Sequence, residues 1–165
     1  LPAKATLLHT IEIPETGGDT YFANMYMALE EMPADLRDRI EGLRATFRYG
    51  GRAAERNLRL EKEDQDKPLQ DHPIVKRHRE SGRESLFVNP THTVGILGWQ
   101  DEAAQGLLQE VYEWAGQERY QACHVWRPGD TVIWDNRCCW HSATGENPLR
   151  QPRRFYRATI ADRAH

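Results

Sequence analysis

Between Trp134 and Arg157 the chain reads WDNRCCWHSATGENPLRQPRRFYR, and three of its side chains can do chemistry together: His141, Arg153 and Arg157. An imidazole can ligate a metal, and two guanidiniums four residues apart can neutralise an anion beside it. In a strand, residues i and i+4 point to the same face, so Arg153 and Arg157 share a side while Arg154 takes the other. Two guanidiniums on an inward face need an anion; on an outward face they are ordinary surface arginines ending a sheet, and spacing alone does not choose. A lone histidine near a strand is likewise more often packed than ligating. Taken together, the set is what a metal held beside a small dicarboxylate requires.

The elements that must position these residues are legible in outline. Leu7, His9, Ile11 and Ile13 alternate along an apparent first strand. ETGGDT then supplies a glycine turn, and Asp19 or Thr20 can cap a helix expected from about Tyr21 to Glu31. Pro33 opens a second expected helix, with Leu36, Ile40, Leu43 and Phe47 at helical spacing. From Gly50 to about Gln70 few apolar residues occur and no period is sustained, which reads equally as a lid over a site or as a solvated insertion. Pro73 to Arg77 and Ser85 to Asn89 predict a hairpin turning at Ser81-Gly82. In DEAAQGLLQEVYEWAG, Ala104, Leu107, Leu108, Val111 and Ala115 fall on one helical face, with Asp101 and Glu102 at the positive end of the dipole. Further strands are expected at Ala122–Arg127, Thr131–Trp134 and Arg153–Ile160, the first two joined by the tight turn RPGD. This order implies an α+β protein, an antiparallel sheet structure with helices on its outer face.

Composition narrows the function classes. The chain has 165 residues, 39% of them apolar, and a net charge of -3, which suits one ordinary core. Basic and acidic residues interleave without the basic stripe that nucleic acid demands, so no nucleic-acid partner is expected. No run of about 18 apolar residues could span a bilayer, and no leader is visible, so no membrane association and a cytoplasmic location are expected. The three cysteines show no C-x-x-C spacing and read as reduced, packed thiols.

Three blocks in order carry a resemblance: GGDTYFANMYMALEEMPADLRDRIEGLRA, HPIVKRHRESGRESLFVNPTHT, and WDNRCCWHSATG followed by PRRFYRATI. They resemble the taurine dioxygenase and phenoxyacetate dioxygenase (TauD/TfdA) family of iron(II)- and 2-oxoglutarate-dependent oxygenases, over nearly the whole chain. The resemblance implies a double-stranded β-helix, the cupin-like jelly roll, with Fe(II) as metal, 2-oxoglutarate as co-substrate and molecular oxygen as reactant. It implies that His141 is the second iron-binding histidine of a two-histidine, one-carboxylate triad. Arg153 matches the arginine that grips the distal carboxylate of 2-oxoglutarate, and Thr20 the threonine that hydrogen-bonds it. Arg157 matches a second arginine near the iron-bound end of the co-substrate, close enough to help hold an anionic substrate. His92, in NPTHT, falls where the family places a substrate-pocket side chain, although a plain strand-end histidine fits the residues as well. Trp134, Asp135 and Asn136 are expected to support the sheet and His141. Small anionic substrates such as sulfonates, phenoxy acids and alkyl sulfates are implied, and family members often form dimers or tetramers, so a homo-oligomer is compatible.

One departure stands out. The family's first two iron ligands come as H-x-D before the GGDT block, and no H-x-D occurs here. The expectation is therefore a C-terminal portion, residues 1–165, of a single oxygenase domain, with the dyad just upstream of Leu1 and the chain inactive alone. A cupin-like anion-binding protein or isomerase without redox chemistry is the main alternative, and a non-catalytic scaffold the other.

Overall fold

The computed structural model describes residues 3–52, 62, 67–145 and 150–162. Its chain divides into two compact units, one formed by Leu1–Met25 with Glu118–His165 and the other by Tyr26–Gln117.

The first unit is built of two three-stranded antiparallel sheets. One sheet places β1 (Ala3–Glu12) between β11 (Arg154–Ala161) and β9 (Thr131–Asp135). The other places β2 (Thr20–Asn24) between β10 (Cys139–Ala143) and β8 (Gln121–His124). Chain neighbours β1 and β2 thus belong to different sheets, as do β8 and β9. The RPGD turn that joins β8 to β9 is closed by Asp130, whose carboxylate accepts the Arg127 backbone N–H at 2.9 Å, with Gly129 at φ 87°. It turns the chain from one sheet to the other instead of making a hairpin. Among the described residues the sheets do not close into a barrel.

One sequence expectation fails here. The helix expected from Tyr21 is a strand up to Asn24, because TYFAN pairs on both edges, and helix α1 covers only Met25–Glu30. Ladder bonds on both sides outweigh a local capping signal. On β1, the alternate set Leu7, His9 and Ile11 does share a face, but the deeply buried side chains are Thr6 and Thr10, on the opposite one.

In the second unit, α2 (Ala34–Ile40) buries Leu36 and Ile40 and then stops at Gly42, which adopts φ 72°. The apolar spacing that continues to Phe47 belongs instead to β3 (Arg44–Phe47), which lies between β4 (Gln70–Pro73) and β7 (Thr93–Ile96). Pro33 occupies the cap position, not the first helical one. The expected hairpin is present as β5 (Val75–Arg77) paired with β6 (Glu84–Leu86), and Gly82 takes φ 70° in its turn. Helix α3 (Asp101–Ala115) buries all five residues of its expected face and packs on β7. Its Trp114 indole donates to the Ala28 carbonyl at 2.7 Å. A 3-10 turn follows at Glu118–Tyr120. Most of the Gly50 to Gln70 stretch lies outside the described residues. No helix among the described residues is long and apolar enough to cross a membrane.

His72 in β4 is a titratable group of this unit that burial disturbs. It sits 5.4 Å from the rings of both Phe47 and Phe87, and the Lys76 ammonium lies over the Phe87 ring at 4.2 Å. Desolvation, then Lys76, pulls its pKa below the ordinary 6.5, partly opposed by Asp71. The unfolded chain therefore binds this proton more readily than the folded one. The contribution is fully present above about 6.5 and is lost as pH falls through the lowered value. Thermal unfolding of His72→Leu against the wild type should show the variant gaining relative stability as pH drops below about 6.5. A difference that does not change with pH would refute this account.

Candidate functional site

Strand parity decides which side chains meet inside the first unit. Residues directly opposed in an antiparallel pair lie on one face. On the β10-β2-β8 sheet, His141 opposes Phe22, and Thr20 opposes both Ala143 and His124, so His141, Phe22, Thr20 and His124 share a face. On the β11-β1-β9 sheet, Trp134 opposes Thr6, Arg157 opposes Leu8 and Phe155 opposes Thr10, which again puts them on one face. Aromatic contacts join the two faces. Trp134 lies 5.3 Å from Phe22 and 4.6 Å from His141, and Trp126, just past β8, meets Phe155 edge-on at 4.8 Å. His141, Thr20 and Arg157 therefore all project into the space between the sheets.

Arg153 enters the same space from the residue before β11. Its guanidinium carbon sits 4.5 Å over the Phe155 ring, and its Nε donates to the Gly18 carbonyl at 2.9 Å. Partial desolvation lowers its pKa, partly offset by nearby Asp19, so it remains a cation with its Nη groups uncommitted among the described residues. Arg154 points the other way and makes only a long surface contact with Glu12, at 3.4 Å. Such exposed pairs contribute little. Arg157 forms no hydrogen bond or ion pair among the described residues.

Thr20 is 3% exposed and Trp126 4% exposed, and the indole Nε1 donates to the Thr20 hydroxyl at 2.9 Å. Trp126 is held in turn by the His124 ring, edge-on at 4.5 Å, while His124 Nε2 lies 3.2 Å from Asp130. The floor of the site thus runs Gly18, Arg153, Phe155, Trp126, Thr20, with a cation and a hydroxyl at its two ends. Those donors fit a carboxylate.

Of the residues expected to support His141, Trp134 places its ring against it. Asn136 exchanges hydrogen bonds with Thr6 at 2.9 and 3.3 Å, and Asp135 holds the Arg137 guanidinium through bonds of 2.9 and 2.6 Å. His141 itself is exposed, on β10 rather than after a strand. Among the described residues, no pair of further His, Cys, Asp or Glu side chains gathers with it. One ligand does not fix a facial iron site, so the donor set seen here does not by itself hold iron. The neighbouring Cys139 thiol is pushed up to about 12, chiefly by burial, and is no nucleophile at neutral pH.

His92 belongs to the second unit. It stacks on Tyr49 at 6.2 Å in a turn whose backbone N–H groups, those of Thr91 and His92, are held by the Asn89 side chain.

Comparison with known proteins sorts these features. Residues 1–159 match the model of the family described as taurine catabolism dioxygenase TauD, TfdA family. The chain belongs to the TauD/TfdA family. It is 32% identical to an (S)-phenoxypropionate/alpha-ketoglutarate-dioxygenase of Sphingobium herbicidovorans, covering 96% of this chain and 58% of that protein. It is 33% identical to an alpha-ketoglutarate-dependent 2,4-dichlorophenoxyacetate dioxygenase of Cupriavidus pinatubonensis, covering 98% and 56% respectively. The crystal structure of AAD-2 in complex with Mn(II) and N-oxalylglycine superposes with a TM-score of 0.88 at 28% identity, over 98% of this chain and 64% of that one. The chain thus spans a little over half the length of these relatives.

Within this TauD/TfdA chain, sequence reasoning passed over Trp126, Phe155 and Gly18. Phe155 was discoverable, since it lies midway between Arg153 and Arg157 and must share their face. Gly18 carries the sharpest local constraint: it adopts φ +76°, and an added Cβ would lie 3.3 Å from both Cδ and Nε of Arg153 and 3.1 Å from the Pro14 ring. Gly18→Ala should therefore destabilise the protein by about 1 kcal/mol or more. Chemical denaturation measures this, and a midpoint equal to wild type would show that the turn relaxes freely.

Proposed function

We propose that this chain is the C-terminal portion, residues 1–165, of a single TauD/TfdA oxygenase domain with a double-stranded β-helix fold. On this reading the complete protein is an Fe(II)- and 2-oxoglutarate-dependent dioxygenase that hydroxylates a small anionic organic substrate. The observation that carries the proposal is the pairing of Arg153 with Thr20 across the floor of the first unit. A cation and a buried hydroxyl, both with donors to spare, match the distal carboxylate of 2-oxoglutarate.

The residues divide the work by position. Arg153, steadied by Phe155 and Gly18, neutralises the distal carboxylate, and Thr20 donates to it. Arg157, two strand positions further along the same face, meets the anionic end of the substrate or the near end of the co-substrate. His141 is the iron ligand assigned on this chain, and Trp134 limits the orientations its ring can take. Iron with 2-oxoglutarate supplies the oxidising power for hydroxylation, with succinate and CO2 released. Because no pair of further ligand side chains gathers at His141 among the described residues, this chain alone is proposed to bind iron weakly and to be inactive. His92 is proposed as a substrate contact. The names of the relatives, phenoxypropionate and 2,4-dichlorophenoxyacetate dioxygenases, support phenoxy acids as the first substrates to try, with sulfonates and alkyl sulfates next.

The test is oxygen uptake and succinate release by the protein in a form that includes an H-x-D segment, given iron(II), 2-oxoglutarate and these anions in turn. Succinate formed in step with substrate consumption supports the oxygenase. No succinate with any of the anions would leave the cupin-like binding protein as the better reading. A second measurement separates the arginines. Arg153→Ala should weaken 2-oxoglutarate binding roughly 10- to 100-fold, as loss of a charge-assisted hydrogen bond implies, while Arg154→Ala should change it less than about twofold. Equal losses would mean that the face assigned to Arg153 is wrong.

A further inference from the structure

The hydrogen-bond direction at Thr20 is fixed by chemistry. An indole N–H can only donate, whereas a threonine hydroxyl has one proton and two acceptor sites. In the bond of 2.9 Å between Trp126 Nε1 and Thr20 Oγ1, Thr20 is therefore the acceptor, and its own proton is left for another partner. No acceptor takes that proton among the described residues. Thr20 is almost fully buried, so water is not freely available to its hydroxyl. A buried donor left unmatched is costly, and the arrangement makes physical sense if an acceptor arrives.

The same indole reaches the other half of the clamp. Its ring abuts Phe155 edge-on at 4.8 Å, and Phe155 carries the Arg153 guanidinium on its face at 4.5 Å. Behind it, His124 meets the ring at 4.5 Å and lies 3.2 Å from the Asp130 carboxylate that also closes the RPGD turn. The indole is thus clasped between two sheets and linked to both carboxylate-binding groups.

We propose that Trp126 is a positioning residue for the anion clamp: its N–H occupies the acceptor side of the Thr20 hydroxyl and so turns the hydroxyl proton toward the bound carboxylate. The proposal rests on the reading of Thr20 and Arg153 as that clamp. Acceptance from Trp126 also polarises the hydroxyl and strengthens its outgoing bond, as in any chain of hydrogen bonds.

The experiment uses this chain, titrated with 2-oxoglutarate and with glutarate, a dicarboxylate that lacks the 2-oxo group and so probes the carboxylate clamp alone. Binding is followed by the indole N–H resonances of the five tryptophans, with Trp126 assigned from its loss in Trp126→Phe. Trp126→Phe keeps an aromatic ring but removes the donor together with part of the indole's bulk, and the double variant separates the two. It should weaken binding of both dicarboxylates roughly three- to tenfold, and Thr20→Val should weaken it by at least as much. The deciding result is the double variant. If Trp126 acts through Thr20, Trp126→Phe costs nothing further once Thr20 is valine, whereas independent packing makes the two losses add. Additive losses, or wild-type affinity in Trp126→Phe, would overturn the proposal. A measurement in wild type guards against a misfolded variant: glutarate should shift the Trp126 indole resonance, and Thr20→Val should abolish that shift. An unmoved Trp126 resonance at saturation would also refute it. Should neither dicarboxylate bind the wild type at all, the clamp reading itself fails, an outcome distinct from binding that ignores Trp126.

Discussion

Strand alternation is the constraint from which the rest of the first unit follows. Because β1 is clasped by β9 and β11, and β2 by β8 and β10, a single register on each sheet decides the fate of every side chain on six strands. A one-residue slip of β11 would bring Arg154 and Tyr156 inward and expel Phe155 and Arg157. What holds the register is visible at the strand ends. Phe155 locks against Trp126, and Arg154 is drawn outward to Glu12, so the same alternation that buries one arginine's neighbour leaves the next arginine in solvent. Trp134 plays the equivalent part at the other end, touching Phe22 and His141 from the facing sheet.

The interior that results is polar to a degree an ordinary sandwich core would not tolerate. Thr6, Thr10 and Thr20 are almost fully buried, and the Thr10 hydroxyl and Trp134 Nε1 have no partner among the described residues. An unmatched buried donor costs about 1–3 kcal/mol, so a site of this kind is stable only if well-packed rings carry the structure around it. Those rings are Trp126, Phe155, Phe22 and Trp134, and they do two things at once: they exclude water and they set the angles of the polar groups. That is the general logic of a preorganised site, in which rigidity is supplied by packing and specificity by a few polar atoms.

How much of this was legible in the sequence depends on the kind of signal. Helix α3 was fully legible, because five apolar residues at helical spacing admit one face and one partner. The hairpin of β5 and β6 was legible from its turn residues. The β2 strand was not, since GGDT is an equally good helix-capping signal and only pairing with two distant strands overrules it. On β1 the alternation of Leu7, His9 and Ile11 was legible, whereas the burial of Thr6 and Thr10 on the opposite face was not, because threonines carry no apolar signal. In the site itself, Arg153 and Arg157 were separable from Arg154 by parity alone, and the family resemblance supplied Thr20 and His141. Trp126 was not accessible by either route. Its role depends on a contact 106 residues away in sequence, which no local pattern encodes.

The two tasks proposed for the site rest on different physics. Holding a carboxylate needs a cation and a few aimed donors, and on the proposed reading strands β2 and β11 with the segments that flank them supply these within one unit. Misplacement by a few tenths of an ångström weakens such a grip gradually, because charge–charge attraction falls off slowly. Fixing a facial metal site is not gradual: three ligands define three positions, and one ligand defines none. On the proposed reading, the described residues offer a carboxylate grip but gather no further pair of ligand side chains beside His141. Anion affinity and metal affinity should be separable properties of this protein, the first set by Arg153, Thr20 and the rings behind them, the second by how many ligands stand beside His141.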